Sequence, residues 1–442
     1  MKNTKLVTFL WLVLVGAVVL AVNGVRGAEA KRSDTFRTDI NPALLYYQAF
    51  LVGPNLDPAD NTYLLNTDWR NQKLPERFGE LVAKYDAQFG LVRRASHATV
   101  PCDWGTDMSA GPATLLPHLA RAKALAQTAR LRALWALRQG RPADACDDLI
   151  AAVALGRNLS RDGFVISELV QNAIEAIICS TVAENLGRFS PETLKQLVDG
   201  FDSSPPRGTL EACIRAETAF GPDWTLRKLL ELQKQHPGND AEVMAGMRQI
   251  YRNLEGSEPG ETYWGRVTQA AGGTSDGVKR LLEGRQQMYE RLAVLLKLPY
   301  REYESRVKDF SAEVEKSANP FVSATLPSCT RARSREFRIM VEQAMVRAAV
   351  VYKLRGEEAL KSVADPCGDG AFAFRRFMFE GIDRGFELKS AYANEGVHYA
   401  LIFVENDGPA FYVEGPKLGQ PVQTTDEQDA FRRRYGIESR KK

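Results

Sequence analysis

Cys102-Asp103-Trp104-Gly105 is the most tempting group of reactive side chains in the chain, with His97 and His118 nearby in sequence. A thiol, a carboxylate and an imidazole are the materials of a nucleophilic site or a metal centre. Their spacing matches no motif that fixes either chemistry, and local matches of this kind are commonly fortuitous. The competing reading is a structural loop: Trp104 packs as an anchor, Asp103 accepts from local backbone N–H groups, and Gly105 permits a turn. Glu217 is the second candidate. It falls among Ala216, Ala219 and Phe220, where burial would raise its pKa and suit it to acid catalysis. The competing reading has an arginine of a neighbouring helix satisfy it. On the same helix Glu211 and Arg215 are four residues apart and can pair. Asp103, His118 and Glu217 are thus the candidate catalytic residues, and a hydrolase built on them needs all three in one polar pocket.

A third pattern is basic. From Met108 to Ala143 there is no acidic residue, while Arg121, Lys123, Arg130, Arg132, Arg138 and Arg141 all occur. Such a stretch could hold an anionic polymer such as a cell-wall or polysaccharide component. Asp144, Asp147 and Asp148 follow directly and can neutralise part of it, so a solvated, partly paired face is the expectation. No P-loop, GxSxG, HExxH or GxGxxG stands in a fitting context. With four histidines in the chain, a His-rich metal site is not expected, and neither a metal nor a cofactor is assigned. A binding or scaffold module is favoured over an enzyme.

The first residues point to where the protein works. Lys2 and Lys5 precede an apolar run from Leu6 to Val22, and Ala28-Glu29-Ala30 follows as a small-x-small cleavage pattern. That order is a secretory signal peptide, so cleavage after Ala30 and a periplasmic or secreted location are expected. The alternative is a retained N-terminal membrane anchor, since seventeen residues lie at the short edge of a span. Without residues 1–30, which hold Lys2, Lys5, Arg26 and Glu29, the 58 basic and 55 acidic residues become 55 and 54. A body so nearly neutral gives no general argument for nucleic acid. The basic C-terminal tail has no interleaved aromatic platforms, so nucleic acid is not expected as a partner. All six cysteines lie beyond residue 30 and none forms a CxxC. An oxidising compartment permits disulfides among them, in any of 15 pairings, but lone buried thiols are the simpler expectation.

The elements that must position these residues read mostly as helices. Asn41-Pro42 caps a helix through Leu51, and residues 74–89 read as another. Residues 99–112 read as an ordered loop. Leu115, Leu119, Ala122, Ala126, Ala129, Ala133 and Ala136 recur at steps of four and three, the mark of one helical face. Gly140-Arg141-Pro142 breaks that helix and starts its partner, which makes an αα-hairpin. Ile166 to Leu186, with Leu169, Ala173, Ala176, Ser180 and Ala183 as its packing face, is a further helix. Others follow at 191, 209–220, 224–235, 241–254, 278–298, 301–317 and 331–355, with 256–276 read as a flexible surface loop. Three strands then end the ordered chain at 371–379, 386–392 and 397–404, the last apolar on both faces.

Several of these segments carry resemblances. Ala133, Gly140, Ala145, Ala152 and Leu155 make one hairpin look like a tetratricopeptide unit, without the further copies a solenoid needs. Asn41-Pro42-Ala43-Leu44-Leu45-Tyr46-Tyr47, Cys102-Asp103-Trp104-Gly105, Leu116-Pro117-His118-Leu119 and Ile166-Ser167-Glu168-Leu169-Val170 together resemble an exported helical family of planctomycete-type bacteria. That family has no assigned activity, so the resemblance implies no catalytic residues. The run from Ala348 to Leu360, then Asp365-Pro366-Cys367-Gly368 and Phe372-Ala373-Phe374-Arg375, is similar to a type II secretion pseudopilin C-terminal segment. It lacks the methylation-site start of a pilin, and Cys367 stands where an aromatic residue is usual. A Cys329–Cys367 bridge would fit this arrangement.

The expected organisation is therefore a signal peptide at 1–30, a helical domain at 31–320, a helix with a small antiparallel sheet at 321–415, and a polar basic tail at 416–442. The fold class is mainly α, an irregular stack of αα-hairpins with a small α+β C-terminal segment. The expected function is an extracytoplasmic binding or scaffold protein for an envelope protein or cell-wall component. The alternatives are an extracytoplasmic hydrolase and a secretion-system-associated component. Membrane contact is expected only through an uncleaved N-terminal segment.

Overall fold

The computed structural model describes residues 39–406, apart from 67, 68, 70–73, 256–262, 324, 325, 380 and 395. The expected signal peptide at 1–30 and the tail at 416–442 lie outside the described residues. Asn41 starts α1 (Pro42–Leu51) by accepting the Ala43 N–H at 3.0 Å. Two short helices, α2 (Pro58–Asn66) and α3 (Glu76–Ala83), lead to α4 (Asp86–Ser96). The single helix read over residues 74–89 is therefore two. Phe78, Leu81 and Val82 of α3 pack with Trp69 and Leu134, whereas Phe89, Val92 and Ala95 of α4 join the main core. Two faces serving two clusters require the axis to turn, which it does at Lys84-Tyr85.

The hairpin is as the sequence implies. Helix α5 (Pro117–Arg138) and helix α6 (Pro142–Leu159) meet at Gly140, whose φ of 68° is the left-handed conformation glycine allows. Ala122, Ala126, Ala129 and Ala133 are fully buried. Leu115 precedes the helix and is 85% exposed, so it does not belong to that face. Helix α7 (Val165–Glu184) departs further from expectation. Its most buried face carries Glu168, Gln171, Ile174, Glu175 and Ile178, while Leu169, Ala173, Ala176 and Ser180 are only partly buried. By length and composition α7 could cross a membrane, but it packs against α6 and the long C-terminal helix with two carboxylates inside.

Ser190 caps α8 (Pro191–Ser203), and Thr209 caps α9 (Leu210–Phe220). There follow α10 (Pro222–Gln235), α11 (Asp240–Glu255), α12 (Tyr263–Ala270), α13 (Ser275–Gly284), α14 (Gln286–Leu296), α15 (Tyr300–Glu315), α16 (Pro320–Ser323) and α17 (Leu326–Arg355). Helix α12 occupies part of the stretch read as a surface loop. Trp264 and Val267 are buried there, with Trp264 stacked on Tyr251 at 4.7 Å, and they close a small second core between α10 and α16. The helix read over 278–298 breaks at Arg285, whose guanidinium donates to the Leu282 carbonyl and to Asp223.

Strands β1 (Ala373–Phe379), β2 (Ile382–Asn394) and β3 (Val397–Val404) form an antiparallel meander in that order. Ala400 to Val404 are all buried, as the apolar character of β3 on both faces implies. The meander lies on α17, where Tyr352 meets Phe386 at 4.5 Å and Phe374 at 5.3 Å. Its end also meets the helical body: a Cβ on Gly187 would stand 1.8 Å from the Glu405 carbonyl oxygen. One hydrophobic core accordingly runs from Ala43 to Phe403. The fold is mainly α with a small antiparallel sheet near the C-terminus. All six cysteines are buried and none is in a disulfide, so the Cys329–Cys367 bridge is not formed. Burial pushes the thiols of both residues up to about 12.

Candidate functional site

The three candidate catalytic residues do not form one site. No hydrogen bond joins any two of them, and each serves its own surroundings. Asp103 is exposed, and its Oδ1 accepts the Gly105 N–H at 2.9 Å while Gly105 takes a φ of 62°. Asn41 clamps the same loop, donating to the Asp103 carbonyl at 2.6 Å and accepting its N–H at 3.1 Å. Trp104 is the anchor: its indole N–H donates to the Asn158 carbonyl at 2.8 Å, and its ring stacks on Tyr46 and on His118. His118 is buried behind that ring, and burial lowers its pKa. Cys102 is pushed up to about 12 by burial, so it is no thiolate nucleophile near neutral pH. The loop reading accounts for Cys102 to Gly105, while His97 ends α4 as its C-cap and the buried Nε2 of His118 has no hydrogen-bond partner.

Glu217 accepts the Val165 N–H at 2.8 Å, and burial raises its pKa. It closes the first turn of α7, where N–H groups lack helical partners, rather than meeting an arginine. Glu211 pairs with Lys297 at 3.3 Å, not with Arg215. The basic stretch is partly paired, as expected. Arg132 bridges Asp148 at 2.9 Å and Asp86 at 2.5 Å, Arg93 joins Asp148, and Arg141 pairs with Asp144.

A cluster absent from the sequence reading sits on the buried face of α7. Arg207 donates to Glu175 at 2.9 Å and to Glu336 of α17 at 3.4 Å, and it also reaches Asn172. Arg157 of α6 donates to the other oxygen of Glu175 at 3.0 Å and to the Phe201 carbonyl at 2.7 Å. Arg333 pairs with Glu336. Glu168, 3.6 Å from Arg207, is the least well served: its Oε2 has no hydrogen-bond partner. Burial and then the charge of Glu336 raise its carboxyl to about 8, against the opposing pull of Arg207. Glu168, Glu175 and Glu336 are fully enclosed, so no substrate reaches them. Their work is to join α6, α7, α17 and the segment before α9.

An open site does exist elsewhere. A cleft of about 1140 Å³ lies between α5, α7, α17 and the β2–β3 hairpin. Arg331, Arg335 and Arg338 project into it at steps of four and three along α17, so they share one helical face. Arg130 of the basic stretch borders the opposite wall, 3.7 Å from Glu184. Arg338 is held by Glu342 at 2.8 Å and lies 4.9 Å over the Tyr399 ring, whose hydroxyl donates to the same Glu342 at 2.7 Å. Burial opposes the charge of Arg338, but Glu342 and Tyr399 outweigh it and raise its pKa. Arg331 and Arg335 are exposed and make no ion pair among the described residues. The spacing of the three α17 arginines was legible in the sequence. Their meeting with Arg130, some 200 positions away, was not.

Among the described residues, no group of three or more His, Cys, Asp or Glu side chains is placed to hold a metal ion. Comparison with known proteins adds no relative: no family model, no curated protein and no solved structure matches the chain.

Proposed function

We propose that this protein is an extracytoplasmic binding protein of the cell envelope, with its site in the cleft between α5, α7, α17 and β3. One observation carries the reading. Arg331 and Arg335 stand exposed in a concave wall with no ion pair among the described residues, whereas Arg132, Arg157 and Arg207 are matched to carboxylates. Unmatched charge of one sign in a cleft concentrates ligands of the opposite sign. The positive start, apolar run and Ala28-Glu29-Ala30 pattern support an envelope location. The hydrolase alternative loses support because no hydrogen bond joins Asp103, His118 and Glu217, and Asp103 and Glu217 each accept a local backbone N–H.

The test is sedimentation of the purified protein with isolated cell-wall sacculi. Wild type should co-sediment, and Ser180→Trp, which fills the cleft from α7, should stay in the supernatant. Failure of wild type to sediment, or equal sedimentation of the variant, defeats the proposal.

A second reading, association with a secretion pseudopilus, is favoured by the packing of the β1–β3 meander on α17. Asp365, in the segment that resembles a pseudopilin loop, accepts from Ser390 at 2.9 Å and from the Ala391 N–H at 2.7 Å, which pins that loop to β2. A photo-crosslinker at exposed Val397 should then trap a pseudopilin subunit in intact cells, and its absence from the products rejects this reading.

A further inference from the structure

We infer that the cleft takes an anionic glycan, a chain of sugars carrying carboxylates or phosphates, an inference that rests on the cleft being the binding site. The first argument is length. Arg331 to Arg338 spans seven residues of α17, roughly 10 Å at the helical rise. A lone phosphate or carboxylate meets one or two of these guanidiniums, whereas a chain with repeated charges meets the whole row. The cleft, at about 1140 Å³, also exceeds the roughly 300–1,000 Å³ usual for compact small ligands.

The second argument is the form of the charge. Arg130, Arg331, Arg335 and Arg338 line the cleft; Arg130 lies 3.7 Å from Glu184 and Arg338 is held by Glu342, which leaves Arg331 and Arg335 as the guanidiniums without an ion pair among the described residues. A guanidinium is a planar fork of donors that fits two oxygens of a carboxylate or phosphate. The third is the neutral lining. Gln127, Ser180, Ser334 and Asn394 offer side-chain donors and acceptors between the arginines, which suit sugar hydroxyls.

Single-stranded nucleic acid is also a polyanion, but it needs open aromatic faces on which bases stack. The two tyrosines here are taken. Arg338 covers the Tyr399 ring, and Tyr392 is buried, with its hydroxyl bonded to the Ser334 carbonyl at 2.9 Å. His398, exposed on the hairpin, is the remaining ring among the described lining residues, so the cleft offers charge and hydroxyl partners with one small ring rather than a row of stacking faces.

The experiment is titration calorimetry of the purified protein with four probes: oligogalacturonate, polyphosphate, neutral maltodextrin of equal length, and oligo-dT. Oligogalacturonate should bind, with affinity that falls as salt rises. Maltodextrin should not bind. Polyphosphate as strong as oligogalacturonate assigns the charge to phosphate or carboxylate alike, and weaker polyphosphate assigns it to carboxylate. Arg331→Glu with Arg335→Glu should weaken oligogalacturonate at least about tenfold, a loss of about 1.4 kcal/mol. Arg306→Glu, on α15 outside the cleft, should change it less than about twofold, within the range of a remote surface substitution. Arg331→Gln with Arg335→Gln guards against misfolding of the reversed pair. Oligo-dT binding as tight as the glycan, or glycan binding unmoved by both double variants, overturns the inference. If no probe binds while Ser180→Trp still abolishes sacculus sedimentation, the cleft stands and the glycan class falls. If Ser180→Trp sediments normally, the cleft itself falls.

Discussion

Glu217 accepts the backbone N–H of Val165 at 2.8 Å, across 52 positions of sequence. The contact makes this carboxylate a cap on the N-terminus of α7, where negative charge also meets the positive end of the helix dipole. Glu217→Ala should destabilise the protein by about 1 kcal/mol, typical of a lost cap, and leave sacculus binding unchanged. Denaturant unfolding and sedimentation together check this. Lost binding at full stability would return Glu217 to the functional site.

The enclosed position of Glu168 gives stability a definite pH dependence. Its pKa is raised to about 8 from the 4.5 of an unburied carboxyl. Between those values the folded protein holds a proton that the unfolded chain releases, so stability falls as pH rises through this window. The contribution is complete below about pH 4.5 and gone above about pH 8. Its size is on the order of a few kcal/mol, since each pKa unit corresponds to about 1.4 kcal/mol. Glu168→Gln keeps a neutral group of the same shape and should remove this component. Urea unfolding of both proteins from pH 5 to pH 9 measures the difference, and parallel curves would refute it.

Trp104 and Asp103, adjacent in sequence, should behave very differently. Trp104→Ala removes a buried ring packed between Tyr46 and His118 and leaves the Asn158 carbonyl without its donor. The expected cost is about 3–5 kcal/mol. Asp103→Ala removes one exposed turn contact and should cost less than about 1 kcal/mol. Neither should alter ligand affinity in protein that remains folded. A selective loss of binding in Asp103→Ala would contradict the loop reading.

The buried thiols make an equally direct test. Thiol reagent should react slowly with the native protein and with six thiols after unfolding in the absence of reductant. The melting temperature should not move when reductant is added. A Cys329–Cys367 linked peptide in a non-reducing digest would show that the bridge forms after all.

Much of the fold was legible because its signals are local. The Asn41-Pro42 and Ser190-Pro191 starts are read from cap chemistry, and the α5–α6 hairpin from alanine spacing and Gly140. The strand β3 followed from a run apolar on both faces. Where the reading failed, a distant partner decided. Helix α12 forms in a polar, Gly-rich stretch because Trp264 and Val267 have a second core to enter. The packing face of α7 was read from its apolar and small residues, whereas Glu175 is buried because Arg157 and Arg207 arrive from elsewhere to donate to it.

The same division holds for the candidate site. By itself the sequence determined the helical class, the hairpin, the C-terminal strands and the loop character of Cys102 to Gly105, since each depends on neighbours within a few residues. It also showed Arg130 within a basic stretch, while the Arg331, Arg335 and Arg338 steps stood in the sequence without being singled out. Only the tertiary structure brought them to one cleft and sent Glu217 to a helix end. A cleft is a relation between surfaces of different elements, and no local periodicity encodes which surfaces will meet.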